Sequence, residues 1–148
     1  FMALAYGLIG MFALVTQVVN MTLVLGAISA LGATLTLPGI AGMLLTIGMA
    51  VDANVLVYER IREEQKNGRS ATSAVEAGFR EATSTIIDSN LTTLLAALIL
   101  LVLGSGPVRG FGVTLSIGIV TSVFCAIVLN RWFFSMWLRS FRPKYIPV

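Results

Sequence analysis

The first 51 residues, Phe1 to Val51, contain no charged side chain. A single membrane crossing takes about 20 residues, so this run is too long for one and fits two crossings joined by a turn. The turn falls at Gly32-Ala33-Thr34 and Pro38-Gly39. Proline suits the first turn of the following helix, where its missing N–H is not needed. The rest of the chain agrees. Of 148 residues 57% are hydrophobic and 11% charged, and the mean hydropathy is +0.91. A soluble domain of this size has no interior large enough for so much apolar side chain. The net charge of +3 is gathered in two places and reads as a basic rim facing a membrane, with no nucleic-acid partner. Cys125 is the single cysteine and histidine is absent. That excludes an internal disulfide and speaks against a zinc or other metal site, and nothing calls for a cofactor. No cleavable signal pattern opens the chain, and Phe1 is followed at once by apolar residues, so a fragment of something longer is expected.

The apolar periodicity predicts an all-α transmembrane bundle in a lipid bilayer, with four spans at about 5–31, 37–58, 86–103 and 110–130. An amphipathic helix is predicted at about 70–84, along the membrane surface or against the helix ends. Its stripe is Ala71, Ala74, Val75, Gly78, Phe79 and Ala82, with Phe79 inward; Ser70 is its expected N-cap. Gln17 and Asn20 share one face of the first span as a pair of interhelical hydrogen bonds. Gly42, Thr46, Ala50 and Asn54 recur every four residues on the second span, and Thr114, Gly118, Ser122 and Ala126 do so on the fourth. Such stripes admit close helix packing; Gly48 is counted with these packing positions. Beyond Tyr58, Arg60–Glu64, Glu59–Arg62 and Glu76–Arg80 are spaced to pair, and Asn67-Gly68 stops the helix. Asp88 and Asn90 are expected at the start of the third span, where a carboxylate favours a helix N-terminus. Gly104-Ser105-Gly106-Pro107 makes the next turn. Arg131, Trp132 and Trp137 mark the last exit. Of the ten Lys and Arg, only Arg109 falls on the side of that turn. The positive-inside rule therefore makes the 59–85 loop and the C-terminal tail, with Arg139, Arg142 and Lys144, cytoplasmic.

Asp52 stands inside the second span, roughly 10 Å along the axis from its charged end at the helical rise per residue. Asp is too short to reach water easily from there. Such a group needs a partner, a water-filled cavity or a proton. Leu45, Gly48, Met49 and Glu59 share its face, which is not the face of the Gly42 stripe. Three readings are open. Asp52 is a proton-carrying group of a transport subunit, or structural glue in a passive scaffold, or half of an intramembrane aspartyl protease with Asp88. The protease reading lacks its motif, since Gly48-Met49-Ala50-Val51 precedes Asp52 in place of Gly-x-Gly. It also needs two acids at one depth. Intramembrane acids are functional by default.

The stretch TLTLPGIAGMLLTIGMAVDANVLVYERIREE, from Thr34 to Glu64, resembles the SecD/SecF family of bacterial protein-export membrane proteins, on its SecD side. NGRSATSAVEAGFREA, IIDSNLTTL and GSGPVRGFGVTLSIGI carry the likeness over nearly the whole chain. The resemblance implies the C-terminal transmembrane domain of a SecD-like protein in the resistance–nodulation–division superfamily, without the family's first span and large periplasmic domain. It implies residence in the bacterial inner membrane, a SecF-like partner half, work with the SecYEG translocon on an exported polypeptide, and use of the proton gradient. It implies transport and no enzymatic activity. By the family's pattern Asp52 is the proton-path acid. No Arg or Lys lies at its depth in this chain, so its counter-charge is expected from the partner half.

Overall fold

The computed structural model describes residues 1–32 and 36–141, Phe141 by its backbone alone. Every element among them is helical: α1 (Met2–Ala30), α2 (Leu37–Lys66), α3 (Ala71–Leu103), α4 (Pro107–Phe124), a π-helical turn (Cys125–Leu129) and α5 (Asn130–Phe141). The helices α1, α2 and α3 and the run Pro107–Ser140 are each long and apolar enough to cross a membrane. Ala33, Thr34, Arg142 and Lys144 lie outside the described residues.

Local chemistry sets most of the boundaries. The Thr36 hydroxyl accepts from the Gly39 N–H at 3.0 Å and caps α2, with Pro38 in its first turn. Past Tyr58 the helix does not stop at the membrane edge expected for it but runs on to Lys66. Ion pairs line this extension, Glu59–Arg62 at 3.0 Å and Arg60–Glu63 at 3.0 Å, with Arg60 also 3.6 Å from Glu81. The Arg60–Glu64 pair expected from spacing does not form. Glu64 is turned inward, 8% exposed, and Arg69 in the following turn takes its carboxylate at 2.5 Å. Gly68 closes the helix at φ +89°, a conformation suited to glycine. The Ser70 hydroxyl then caps α3 by accepting from the Ser73 N–H at 3.3 Å.

The largest difference from expectation is α3. A separate surface helix over 70–84 and a span over 86–103 are one continuous helix, Ala71–Leu103. No Gly or Pro occurs between Phe79 and Leu103, so nothing interrupts the backbone where the side-chain pattern changes. Thr83 does not break the helix either, because its hydroxyl donates back to the Phe79 carbonyl at 2.6 Å. Asp88 and Asn90 therefore sit mid-helix and not at an N-terminus. The stripe Ala71, Ala74, Val75, Gly78, Phe79 and Ala82 is buried against the end of α2. A Cβ on Gly78 would come within 2.6 Å of Ile61. Glu76 and Arg80 are exposed and form no ion pair with each other.

The helices α2, α3 and α4 pack mutually, and α1 lies against α4 and α2. An aromatic core ties the charged end together. Phe134 of α5 meets Phe79 at 5.5 Å and Tyr58 at 5.7 Å between ring centroids, and Tyr6 meets Tyr58 edge-on at 5.2 Å. The Tyr6 hydroxyl donates to Glu59 at 2.7 Å and holds the start of α1 to the end of α2. That start is bent sharply at Gly7, φ 57° and ψ −125°, a region open to glycine.

Candidate functional site

Two faces of α2 meet different surroundings. On the first, Gly42, Thr46, Ala50 and Asn54 are all buried, and across from them stand Thr114 and Gly118 of α4. A Cβ on Gly42 would lie 3.4 Å from the Phe111 carbonyl oxygen, and one on Gly118 would collide with the Thr46 side chain. Thr46 turns its hydroxyl to its own helix, donating to the Gly42 carbonyl at 2.8 Å. Asn54 is 2% exposed and accepts from Asn130 Nδ2 at 3.1 Å. The Tyr58 hydroxyl reaches both the Ile9 carbonyl at 3.2 Å and Asn130 Oδ1 at 3.3 Å, so three helices share one buried knot. The π turn Cys125–Leu129 comes immediately before Asn130, and such turns shift the phase of a helix at functional positions. Ser122 is buried but faces α1, where it accepts from Asn20 Nδ2 at 3.0 Å. The Gln17 amide, expected to bond across helices alongside Asn20, is enclosed with neither its nitrogen nor its oxygen partnered.

The second face carries Asp52. Asp52 is exposed, and among the described residues it makes no ion pair or hydrogen bond. Gly48, one turn away, is exposed with open space where a Cβ would stand. None of the described residues packs against it, contrary to the expectation from its size: a small residue permits close approach but does not supply the neighbour. Beside Asp52 a cleft of about 220 Å³ opens between α2 and α3. Met49, Asp52, Ala53 and Leu56 line it from α2, and Ile86, Ser89, Asn90 and Thr93 from α3. Asp88 is exposed and is not among the lining residues. At about 100° per residue it sits some 160° around α3 from Asn90. The two acids therefore do not face one another, and the paired-carboxylate arrangement that a protease needs is not built. Among the described residues no three His, Cys, Asp or Glu side chains gather as a metal site would require.

Sequence reasoning missed Ser89 and Thr93 as neighbours of Asp52 and placed Asn90 at a helix start. The signal was present, since 89, 90 and 93 fall on one helical face in a segment otherwise rich in Leu and Ile. Asn130 was also missed; a lone Asn at the end of an apolar run reads as an interface residue.

These features define a class, a polytopic helical membrane domain with an acid, Asp52, beside a cleft on a helix face that the described residues leave open. The chain belongs to the SecD/SecF family: residues 4–140 match the family described as protein export membrane protein SecD/SecF, C-terminal. It is 51% identical over 148 residues to the protein translocase subunit SecD of Acetobacter pasteurianus, covering 100% of this chain and 28% of that protein. It is 49% identical over 147 residues to the protein translocase subunit SecDF of Brucella abortus, covering 99% of this chain and 19% of that one. The fold matches the crystal structure of SecDF from Thermus thermophilus, a translocon-associated membrane protein, with TM-score 0.89 and 46% identity over 97% of this chain and 20% of that one. A SecDF structure in a super-membrane-facing form matches with TM-score 0.88 and 47% identity over 94% of this chain and 19% of that one. The chain thus spans between about a fifth and somewhat over a quarter of the relatives it matches.

Proposed function

We propose that this chain is the C-terminal membrane segment of a protein translocase subunit, in which Asp52 takes up and releases protons to drive export. The carrying observation is Asp52 itself. It is an acid on a helix long and apolar enough to cross a membrane, exposed, and bonded to nothing among the described residues. In a bilayer such a group needs a counter-charge, water or a proton. The counter-charge comes from a SecF-like half seated on the Asp52 face, since no Arg or Lys lines the cleft. Pairing and protonation alternate there and bias two packings of the helices. The assembled unit works with SecYEG on an exported polypeptide in the bacterial inner membrane. Two names support this reading: the relatives are called protein translocase subunits, and the Thermus structure is called translocon-associated.

The test is Asp52→Asn and Asp52→Glu in the full-length subunit, with export measured with and without a proton gradient at matched membrane levels. Asp52→Asn keeps size and most hydrogen bonding but carries no titrating proton. It is expected to insert and assemble yet lose the gradient-driven component, while Asp52→Glu retains part of it, because placement matters. An Asn variant that responds to the gradient like the parent removes Asp52 from the proton path.

The charge distribution supports an orientation with the Lys66 end and the chain's C-terminus cytoplasmic. A cysteine replacing Ser105 is then reached by an impermeant reagent from outside the cell, and one replacing Gln65 is not. Labelling at Gln65 from outside would reverse the assignment.

A further inference from the structure

We infer that the outer face of α3, around Asp88, seats a transmembrane helix of a different polypeptide that carries an Arg or Lys at the depth of Asp88. The inference rests on reading the chain as one subunit of an assembly and does not use the chemistry of Asp52. The cleft fixes the depth of Asp88. Asp52 stands there beside Ile86, Ser89 and Asn90, so Asp88 lies within about one helical turn of the level of Asp52. It points the other way, about 160° around the helix from Asn90. Asp88 is exposed, and its carboxylate makes no hydrogen bond or ion pair among the described residues. The chain thus holds a second acid on a helix long and apolar enough to cross a membrane. Such a group is costly in a bilayer without a partner.

The surroundings of Asp88 define what fits. Ser84, Thr85, Thr92, Leu95 and Ile99 are all exposed and fall within about 60° of Asp88 around the helix. The Ser84 and Thr85 hydroxyls make no hydrogen bond among the described residues. The Thr92 hydroxyl gives its hydrogen to the Asp88 backbone carbonyl at 3.4 Å and keeps its lone pairs. Oxygen acceptors therefore flank a carboxylate, which suits a guanidinium or an ammonium, since both are donors only. Toward the other end of α3 the same face turns apolar. Leu95, Leu98, Ile99, Val102 and Leu103 line an open hollow of about 490 Å³ there. From Ser84 to Leu103 the face is about 28 Å long, close to the ~30 Å core of a bilayer. It thus has the length of one crossing, with an acid over one part and an apolar seat over the rest. A second copy of this chain does not supply the cation. No Lys or Arg occurs between Phe1 and Glu59, between Glu81 and Val108 or between Gly110 and Asn130.

The experiment uses the full-length subunit in native membranes, with the photo-cross-linker p-benzoylphenylalanine in place of Leu95, which is 55% exposed. Irradiation is expected to join it to a second polypeptide. Mass spectrometry of the adduct is expected to place the cross-linked peptide in an apolar segment of about 20 residues with an Arg or Lys inside it. Asp88→Arg sets like charges against each other and is expected to lower the adduct at least about tenfold at unchanged membrane levels. Asp88→Asn, close to the same shape without the charge, should also lower it, and Asp88→Glu should keep most of it. Changing the mapped Arg or Lys of the partner to Asp is expected to restore the adduct in Asp88→Arg. Where Asp88→Arg does not accumulate, Asp88→Asn against Asp88→Glu decides. An adduct found only with lipid or within the same polypeptide overturns the inference. So does a partner segment with no basic residue, or an adduct that neither Asp88→Asn nor Asp88→Arg lowers. The export assay on Asp52→Asn tests the proton reading separately, and its result does not alter the adduct.

Discussion

Asn54 and Asp52 are two residues apart on α2 and stand in opposite surroundings. Asn54 is almost wholly buried, bonded to Asn130 within a knot that also holds Tyr58 and the Ile9 carbonyl. Asp52 is exposed beside a cleft and bonded to nothing among the described residues. In the hydrocarbon of a bilayer polar groups must find partners, since no bulk water supplies them. The described residues meet that requirement for Asn54 and do not meet it for Asp52. One face of α2 is therefore structure, closed by Thr114, Gly118 and Asn130. The other is left open by the described residues. The cleft is open only part of the way along α2 and α3. Nearer the charged end the same two helices close on each other through Ile61, Gly78 and Phe79.

The contrast is sharpest at the glycines. Gly118→Leu drives a side chain into Thr46 and should cost about 3 kcal/mol, the upper part of the range for overpacking a close site. Thermal unfolding of the purified subunit, with its accumulation in membranes, measures this. A tolerated leucine would mean that α2 and α4 are not in contact there. Gly48→Ala should be near neutral, within about 1 kcal/mol and toward greater stability, because alanine is the better helix former and the site is open. A marked loss at Gly48 would show that something packs on the Asp52 face even without a partner.

Much of the packing face was readable because residues four apart share a helical face regardless of tertiary context. Gly42, Thr46 and Gly118 needed only that rule, and the caps at Ser70 and Asn67-Gly68 needed only local chemistry. The cleft was harder. After Thr83 the amphipathic stripe gives way to a stretch with Ser, Thr, Asp88 and Asn90 and then to Leu and Ile, which reads as a boundary, but a change of side-chain environment does not break a backbone that has no Gly or Pro. Joining the two pieces moved Asp88 and Asn90 from a helix end to mid-helix and brought Ser89, Asn90 and Thr93 opposite Asp52. Gly48 illustrates the reverse limit: its size was visible, but the absence of a neighbour was not. Arg60 and Glu64 had the spacing to pair, yet Arg69, brought close by the turn, claimed the carboxylate.

The comparison is tested most directly by unfolding two variants of the isolated subunit, Asn54→Ala and Asp52→Ala, side by side. Asn54→Ala leaves Asn130 Nδ2 without its acceptor and is predicted to cost about 1 kcal/mol, the scale measured for interhelical hydrogen bonds in membranes. Asp52→Ala removes no hydrogen bond or ion pair made among the described residues and is predicted to stay within about 0.5 kcal/mol of the parent. The reverse order, with Asp52→Ala the more damaging, would make Asp52 structural glue and contradict the division of α2 into a packing face and a working face.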